Sequence, residues 1–428
     1  MTLNFLISGS IFLITFIAIL RDQVDRTILA MAGAGAMLVA GMALGFYSEE
    51  AALEAVDFAT LGLLLGMMVL VALLASTGFF QFLAIYTAKL SRGNSWTLLL
   101  ILGGVTTVLS MFLDNVTTIV LIAPVSILIA EILGISPVPF LISEALLSNT
   151  GGVATLVGDP PNILIGSAAN FSFNDFLVTL APIVLVAWLA ALVTLRIVFR
   201  QDLRKKSKNA AALANLDEKK AIHDQKGLIR ILIVMGGVIL FFFLQMTLHL
   251  APAVVALLGA STALLWVQPD IDLILKEVEW STLVFFAALF VLVGGVTASG
   301  LLNMLAGAIV GLAQTNLLLS GLALIWGAAI LSAIVDNIPL TIVMIPVIHS
   351  LGAQGVDITP LWWALALGAG FGGNATPIGS TANVIAVKLS ERTRNPITVK
   401  LWLRTGLPVM IVTCLVATLL YALTFSFM

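Results

Sequence analysis

The sequence predicts an all-α polytopic membrane protein with about ten full spans, built from two repeats of opposite orientation. Three observations predict it. Apolar runs of about 20 residues recur along the chain; a two-part polar motif occurs once in each half; and lysine and arginine gather in alternate loops. Duplicated polar motifs inside membrane runs are typical of secondary transporters that are built from internal repeats.

The composition is that of a membrane protein. Of the 428 residues, 60% are hydrophobic and 10% are charged, which is far more apolar surface than a soluble fold can bury. The predicted first-half runs are 3–20, 28–46, 58–77, the pair 95–113 and 117–133, a run at 140–168 interrupted by glycine and proline, and 176–198. The predicted second-half runs are 228–250, 252–268, 280–300, the pair 317–335 and 338–351, an interrupted run at 360–387, and 405–427.

The basic residues define the sides of the membrane. The segment from Arg196 to Arg230 holds ten of the twenty lysine and arginine residues, so the positive-inside rule predicts a cytoplasmic linker at 201–226. The first apolar run has no lysine or arginine before it, unlike a signal peptide. Counting the predicted membrane spans outward from this cytoplasmic linker places the repeats 1–200 and 227–428 in opposite orientations in the membrane. The stretches 79–92 and 301–314 are amphipathic, which predicts helices in the membrane interface.

The first polar motif places an acid beside an amide within an apolar run. Asp114-Asn115 in the first half corresponds to Asp336-Asn337 in the second, 222 residues later. An ionisable residue at membrane depth costs a few kcal/mol, so it indicates a functional site. The capping of a broken helix by these acids is the alternative interpretation.

The second polar motif has nearly the same spacing. The segment from Gly151 to Asn162 corresponds to the segment from Gly372 to Asn383, and the two asparagines are 221 residues apart. Glycine and proline at membrane depth are tolerated where the backbone is buried in protein or lines a cavity. Asp159 corresponds to Ser380, so the two half-sites differ chemically. The residues alone predict that one polar segment of each half crosses the membrane and that the other turns back within it. They leave open whether the Asp-Asn segment or the Gly-Gly segment is the one that crosses.

Broken helices expose N–H groups and carbonyls that attract polar solutes and ions. The predicted substrate- or ion-binding residues are Asp114, Asn115, Thr117, Thr118, Gly152, Thr155, Asn162, Asp336, Asn337, Thr341, Gly373, Asn374, Thr376 and Asn383. The predicted proton-coupling residues are Asp114, Asp336 and Asp159, with Glu144 as a fourth candidate. A single cysteine, Cys414, and three histidines scattered along the chain predict no metal site, and we assign no cofactor and no catalytic residue.

The quoted motifs resemble those of the ion transporter superfamily. Leu113-Asp114-Asn115-Val116-Thr117-Thr118, the Gly-Gly-x-Ala-Thr-Leu-x-Gly-Asp-Pro-Pro-Asn stretch ending at Asn162, and their second-half partners are most similar to the arsenite permease and NhaD-type antiporter (P-permease) branch. The resemblance implies that the Asp-Asn segments are tips of re-entrant hairpins and the Gly-Gly segments are unwound middles of crossing helices. It also implies an elevator-type movement against a scaffold, and a homodimer. The Ser-Asn-Thr motif of the dicarboxylate branch is replaced here by Asp114-Asn115-Val116 and Asp336-Asn337-Ile338.

The leading function hypothesis is proton-coupled efflux of arsenite or antimonite through the plasma (inner) membrane. A sodium/proton antiporter and a sodium-coupled di- or tricarboxylate transporter are the alternatives. An intramembrane aspartyl protease is a fourth hypothesis, but duplicated Asp-Asn motifs with matched second motifs are not needed for proteolysis. The expected partners are lipid, a small inorganic ion or oxyacid, and protons, without nucleic acid; an associated soluble ATPase subunit stays open.

Overall fold

The regular secondary structure of the described chain is helical. The computed structural model describes residues 2–21, 23–204 and 217–427, and its regular elements in these ranges are α-helices and short 3₁₀ turns. Residues 205–216, which form much of the predicted linker 201–226, lie outside the described part. The sidedness of that linker and the inverted relation between 1–200 and 227–428 stay predictions.

The helices follow the predicted apolar runs. Those of the first half are α1 (Thr2–Leu20), α2 (Arg26–Leu44), α3 (Glu49–Ala55), α4 (Phe58–Ser76), α5 (Phe79–Leu90), α6 (Ser95–Ser110), α7 (Asn115–Leu133), α8 (Val138–Gly152), α9 (Pro160–Ala169), α10 (Phe173–Thr179), α11 (Ala181–Val198) and α12 (Arg200–Leu203). After a 3₁₀ turn at Glu218–Ala221, those of the second half are α13 (Gln225–Leu248), α14 (Pro252–Val267), α15 (Ile271–Glu277), α16 (Trp280–Ser299), α17 (Leu301–Thr315), α18 (Leu317–Ser332), α19 (Asn337–Ala353), α20 (Thr359–Gly372), α21 (Thr381–Ser390) and α22 (Val399–Thr424).

The prediction of an all-α polytopic membrane protein is confirmed. Among the described residues, eight helices are long and apolar enough to cross a membrane, namely α1, α2, α4, α7, α11, α13, α16 and α22. Helix α1 exposes Leu6, Leu13 and Ile14, an apolar face that suits lipid contact. Helix α4, by contrast, buries nearly every residue from Leu63 to Leu74, so it lies inside the helix assembly.

The two polar motifs form the same shapes in both halves. Helices α6 and α7 make a hairpin with its turn at 111–114, and α18 and α19 make another with its turn at 333–336. The predicted run 140–168 is split into α8 and α9 by residues 153–159, and the run 360–387 is split into α20 and α21. Pro160 opens α9, a helix position that needs no backbone N–H.

Two runs differ from prediction because of helix caps. The run predicted at 176–198 is divided, since Ser172 and Asp175 form a capping box that starts the separate helix α10. The last helix begins at Val399 rather than 405, because the Thr398 side chain accepts a hydrogen bond from the Leu401 N–H. The amphipathic stretches are helices α5 and α17, and each follows a left-handed glycine, Gly78 or Gly300.

The helices pack as two groups. In what we call the scaffold, α2 packs on α1 and α16, and α4 and α13 pack on α14. In what we call the hairpin group, α6 packs on α8, α18 on α20, α21 on α7 and α8, and α11 on α22. Each hairpin is therefore packed against a broken helix, which holds the two polar motifs of one half together.

The end of the linker is attached to α5, the helix that leads from the scaffold to the first hairpin. The Lys89 Nζ lies 2.5 Å from Glu218 Oε2, and the His223 N–H donates to the Thr77 carbonyl at 2.9 Å. The Lys89 ammonium holds the pKa of the Glu218 carboxyl below its usual value. A movement of α5 would therefore be transmitted to the linker.

Candidate functional site

Asp114 forms the tip of the first hairpin and caps α7. Its Oδ1 accepts from the Thr117 N–H at 2.8 Å, and its Oδ2 accepts from Thr117 Oγ1 at 2.6 Å. Thr118 Oγ1 donates to the Asp114 carbonyl at 2.9 Å. The carboxylate therefore satisfies the start of the helix, and it stays half-buried rather than sealed in the core.

Asp336 forms the second tip, and its contacts differ. Its Oδ1 accepts from the Ile338 N–H at 3.4 Å. Its Oδ2 accepts from Thr381 Oγ1 at 2.9 Å and from Arg26 Nη1 at 2.8 Å. Thr341 Oγ1 donates to the Asn337 carbonyl at 2.8 Å, whereas Thr118 in the first half donates to the carbonyl of the tip acid itself. The second tip is thus ion-paired to a residue 310 positions earlier in the chain.

Asp159 is the acid at which the two tips meet. Its side chain is 1% exposed. Asn115 Nδ2 lies 3.3 Å from its Oδ1, and Asn337 Nδ2 lies 3.3 Å from Oδ1 and 3.2 Å from Oδ2. The negative charges of Asp336 and Asp114 also act on Asp159. One buried carboxylate is therefore held between matching amides of the two halves.

Asn149 connects this centre to the second broken helix. Its Oδ1 accepts from Asn115 Nδ2 and from Ser380 Oγ, both at 3.0 Å. Its Nδ2 donates to Asn374 Oδ1 at 3.0 Å and to Asn383 Oδ1 at 2.9 Å. Asn149 could not be predicted from the repeat, because its position has no polar counterpart in the second half. The available signal was an amide between Ser148 and Thr150 within a predicted membrane run.

Asn162 and Asn383 turn toward the backbone of the breaks. Asn162 Nδ2 donates to the carbonyls of Gly152, Val153 and Thr155 at 3.2, 3.1 and 2.8 Å. Asn383 Nδ2 donates to the carbonyls of Gly373 and Thr376 at 2.8 and 2.9 Å. These carbonyls lost their helical partners where the helix ends. The two asparagines thus stabilise the unwound segments, while Asn383 also reaches Asn149.

Hydroxyl groups tie each break to its hairpin. Thr155 Oγ1 donates to the Met111 carbonyl, and Thr376 Oγ1 donates to the Ala333 carbonyl. Ser110 Oγ donates to the Ser148 carbonyl at 2.9 Å. A further contact joins the two broken helices, since Asn374 Nδ2 in the second break donates to Thr150 Oγ1 in α8 at 3.1 Å. Tip and break are therefore held as one unit, and Thr155 and Thr376 contribute to its shape.

Gly152 and Gly373 let the two ends of each break approach closely. A Cβ on Gly373 would lie 2.8 Å from the Gly379 carbonyl oxygen, and Gly152 has the same relation to Gly158. Such a contact is shorter than van der Waals packing allows, and backbone atoms have little room to yield.

We therefore expect Gly373→Ala to lower stability by about 1–3 kcal/mol. The measurement is thermal unfolding of the purified protein in detergent. Gly104→Ala is the matched control, since a Cβ there meets no atom within 4 Å. Equal unfolding temperatures for the two variants would contradict the close approach described here.

The scaffold presents opposite charges to the two tips. Arg26 lies beside Asp336, and its guanidinium is 5.0 Å from the centroid of the Phe285 ring. Glu279 lies close enough to Asp114 for the two charges to interact, and it accepts from Thr282 Oγ1 at 3.0 Å. The first tip therefore faces a scaffold acid and the second a scaffold base.

A cavity of about 600 Å³ separates scaffold from hairpin group near the start of α4. Tyr47, Glu54 and Asp57 line it from the scaffold, and Ser167 and His349 line it from the hairpin group. Polar groups on both walls suit water or a polar solute. For metal ions, no cluster of three or more His, Cys, Asp or Glu side chains occurs in the ranges that the structure describes.

Comparisons with known proteins identify the family. A family model described as "Citrate transporter" (CitMHS) matches residues 13–368. The chain is 38% identical to the 46 kDa membrane protein of Mycobacterium leprae, over 96% of both chains. It is 39% identical to an uncharacterized transporter of Mycobacterium tuberculosis, over 94% of both. It is 33% identical to the human P protein, over 93% of this chain and 57% of that protein.

A solved structure has the same fold. The YdaH transporter of Alcanivorax borkumensis matches with a TM-score of 0.57 and 16% identity, and the match covers 86% of each chain. The likeness shows the fold, and membership of the arsenite permease and NhaD-type branch stays a proposal. The family and the relatives are transporters and not enzymes, which removes the protease hypothesis. The chain is thus a multi-pass membrane transporter, and it belongs to the CitMHS citrate transporter family.

Proposed function

We propose that the protein is a proton-coupled antiporter that exports arsenite or antimonite, with the substrate held between the two hairpin tips. The observation that carries this proposal is the chemistry around Asp159. Amide nitrogens of Asn115 and Asn337 contact its carboxylate. Within the described residues, no lysine or arginine is hydrogen-bonded to it.

A neutral oxygen compound suits such a centre. Trivalent arsenic in water at neutral pH is mostly the uncharged trihydroxide, whose O–H groups donate to carboxylate and amide oxygens. Its oxygens accept from amide N–H groups. An anion would instead meet the charges of Asp114 and Asp159 at short range, in a site with little water to screen them.

The acids supply the coupling. Asp114, Asp336 and Asp159 are carboxylates within one connected polar centre, so a proton taken up there changes the charge that a substrate meets. Binding of proton and substrate in alternation is the requirement for antiport. The movement proposed is an elevator, in which the hairpin group slides along the scaffold in the plasma (inner) membrane. The linker 201–226 is then cytoplasmic.

A carboxylate transporter is the second candidate. Two observations favour it: the description of the matching family model, and the presence of Arg26 beside Asp336. An arginine is a preferred partner of carboxylates. A sodium/proton antiporter is the third, since carboxylate and carbonyl oxygens are the ligands of hard cations.

The experiment is uptake into everted vesicles, with arsenite, sodium and citrate compared side by side. We expect arsenite uptake that depends on an imposed pH gradient, and none of comparable size for the other two. Vesicles from cells that make an Asp159→Asn variant are the control. Uptake of citrate or sodium alone would overturn the arsenite assignment.

Substitution of Cys414 can show whether arsenic is recognised through its oxygens or through a protein thiol. It is a free cysteine and fully buried in α22, and it is the one cysteine of the sequence. Thiolate capture of As(III) needs several sulfurs around one atom, which one chain cannot provide. Cys414 is better explained as a small buried packing residue.

We therefore expect Cys414→Ser to retain arsenite resistance. Resistance is measured in cells that lack their own arsenite pump, at matched expression. A folded serine variant that has lost arsenite transport would show that a thiol takes part, and that the site is not made by the polar centre alone.

A further inference from the structure

Arg26 joins the scaffold to the hairpin group through a closed set of three contacts. Its Nη1 donates to Asp336 Oδ2 at 2.8 Å and to Thr381 Oγ1 at 2.7 Å. Thr381 Oγ1 in turn donates to Asp336 Oδ2 at 2.9 Å. A charge-assisted hydrogen bond of this length is strong when it is shielded from water. The carboxylate is only 14% exposed and the arginine side chain 28%.

The partners belong to the two different helix groups. Arg26 begins α2 and Phe285 lies in α16, and the guanidinium is near the Phe285 ring; both helices are in the scaffold. Asp336 and Thr381 lie at the second tip and at the start of α21, in the hairpin group. Any sliding of one group along the other must therefore break this contact.

Within the described residues, no lysine or arginine is hydrogen-bonded to the first tip. The Asp114 carboxylate accepts from the Thr117 N–H and hydroxyl, and the nearby scaffold charge is that of Glu279. Helix capping does not explain the ion pair between Arg26 and Asp336, because Asp114 caps its helix without an arginine.

We propose that Arg26 is a tethered counter-ion that occupies Asp336 in the empty transporter, and that the coupling cation must displace it before the hairpin group moves. This inference rests on the proposed cation coupling. A positive charge beside a half-buried carboxylate stabilises its ionised form, and one such charge is enough. The guanidinium and the mobile cation, a proton or a sodium ion, therefore compete for Asp336. The other charged groups that act on this pair are Asp25, Asp159, Asp114 and Glu279.

The competition predicts tighter cation binding when the tether is removed. In Arg26→Gln we expect the cation concentration for half-saturation to fall about ten-fold, which for protons is a shift of about one pH unit upward. Arg26→Lys keeps the charge and should stay near the wild type. In an Asp336→Asn background, Arg26→Gln should produce no further shift, because both act on the same carboxylate.

The measurement is the unfolding temperature of the purified protein in detergent, across a pH series and a sodium series. A bound cation stabilises the folded state by an amount that grows with the logarithm of its concentration once that concentration exceeds the dissociation constant, so the readout does not depend on which solute is carried. Arg21→Gln is the matched control, since Arg21 is an exposed charge that precedes the same helix. If Arg26→Gln does not fold, Thr381→Val removes one of the three contacts and should shift the cation series in the same direction by a smaller factor.

The inference is overturned if Arg26→Gln, or Thr381→Val in its place, follows the Arg21→Gln control. The inference is also overturned if Arg26→Gln shifts cation binding by the full ten-fold in the Asp336→Asn background. Its failure is distinguishable from failure of the proposed function. If Arg26→Gln shifts cation binding ten-fold and the protein does not transport arsenite, the counter-ion role of Arg26 stands and the arsenite assignment is wrong. If the protein transports arsenite and Arg26→Gln causes no shift, the arsenite assignment stands and the counter-ion role is wrong.

Discussion

Replacement of Asp159 by asparagine is expected to abolish proton-coupled transport, with a loss of about 100-fold or more, the scale of losing an essential proton-transfer group. Asp159 is the buried carboxylate at which Asn115 and Asn337 meet. Asparagine keeps the volume and removes the charge, so the variant should fold. The measurement is pH-driven substrate flux in proteoliposomes, together with the unfolding temperature.

Glu144→Gln is the matched control for that result. Glu144 is also a buried acid, 1% exposed, but it accepts from Ser126 in the interior of the hairpin group. Glu144 is the fourth coupling candidate of the sequence, but within the described residues it makes no hydrogen bond to the polar centre around Asp159, so we expect its substitution to leave proton coupling in place. Full coupling in Asp159→Asn would contradict the account, and so would an equal loss in both variants.

Asp114→Asn and Asp336→Asn are each expected to remove the pH-driven component of flux, by about 10- to 100-fold. Asparagine can still accept the capping hydrogen bond at either helix start, so folding should be retained. Loss of flux would therefore report the missing charge and not a broken cap. The measurement is flux with and without a pH gradient at matched amounts of protein.

A helix cap elsewhere provides the control for both tips. Asp270 caps α15 by accepting from the Asp272 N–H, away from the polar centre. Asp270→Asn should leave flux unchanged. Wild-type pH dependence in both tip variants would remove Asp114 and Asp336 from the coupling role, and would favour the capping interpretation.

Much of the fold could be predicted because repetition is visible in the sequence. The offset between Asp114 and Asp336 located one polar motif in each half, and the glycine pairs located the other. The resemblance to the superfamily, and not the spacing, implied that the first forms hairpin tips and the second interrupts crossing helices. Helix starts such as Val399 were missed by several residues, since a single capping threonine outweighs the end of an apolar run. The order of packing between the helix groups could not be predicted, because it depends on contacts between distant parts of the chain.

The candidate site was predictable where it lies inside the repeated segments, even though Asp159 and Asn374 have no like residue in the other half. Asn115 and Asn337 were found this way, and they contact the same carboxylate. Asn149 and Arg26 were not found, because both lie outside those segments. Arg26 was counted among the charges of one side of the membrane. Its ion pair with Asp336 depends on a fold that brings together residues 310 positions apart.

The central claim is that the polar centre between the two tips is the transport site. The most direct measurement is a structure determined with bound antimonite, because antimony is located by its anomalous scattering. The account predicts antimony within hydrogen-bonding range of Asp159, through its oxygens, between Asn115 and Asn337. Antimony beside Cys414, or in the 600 Å³ cavity alone, would contradict it.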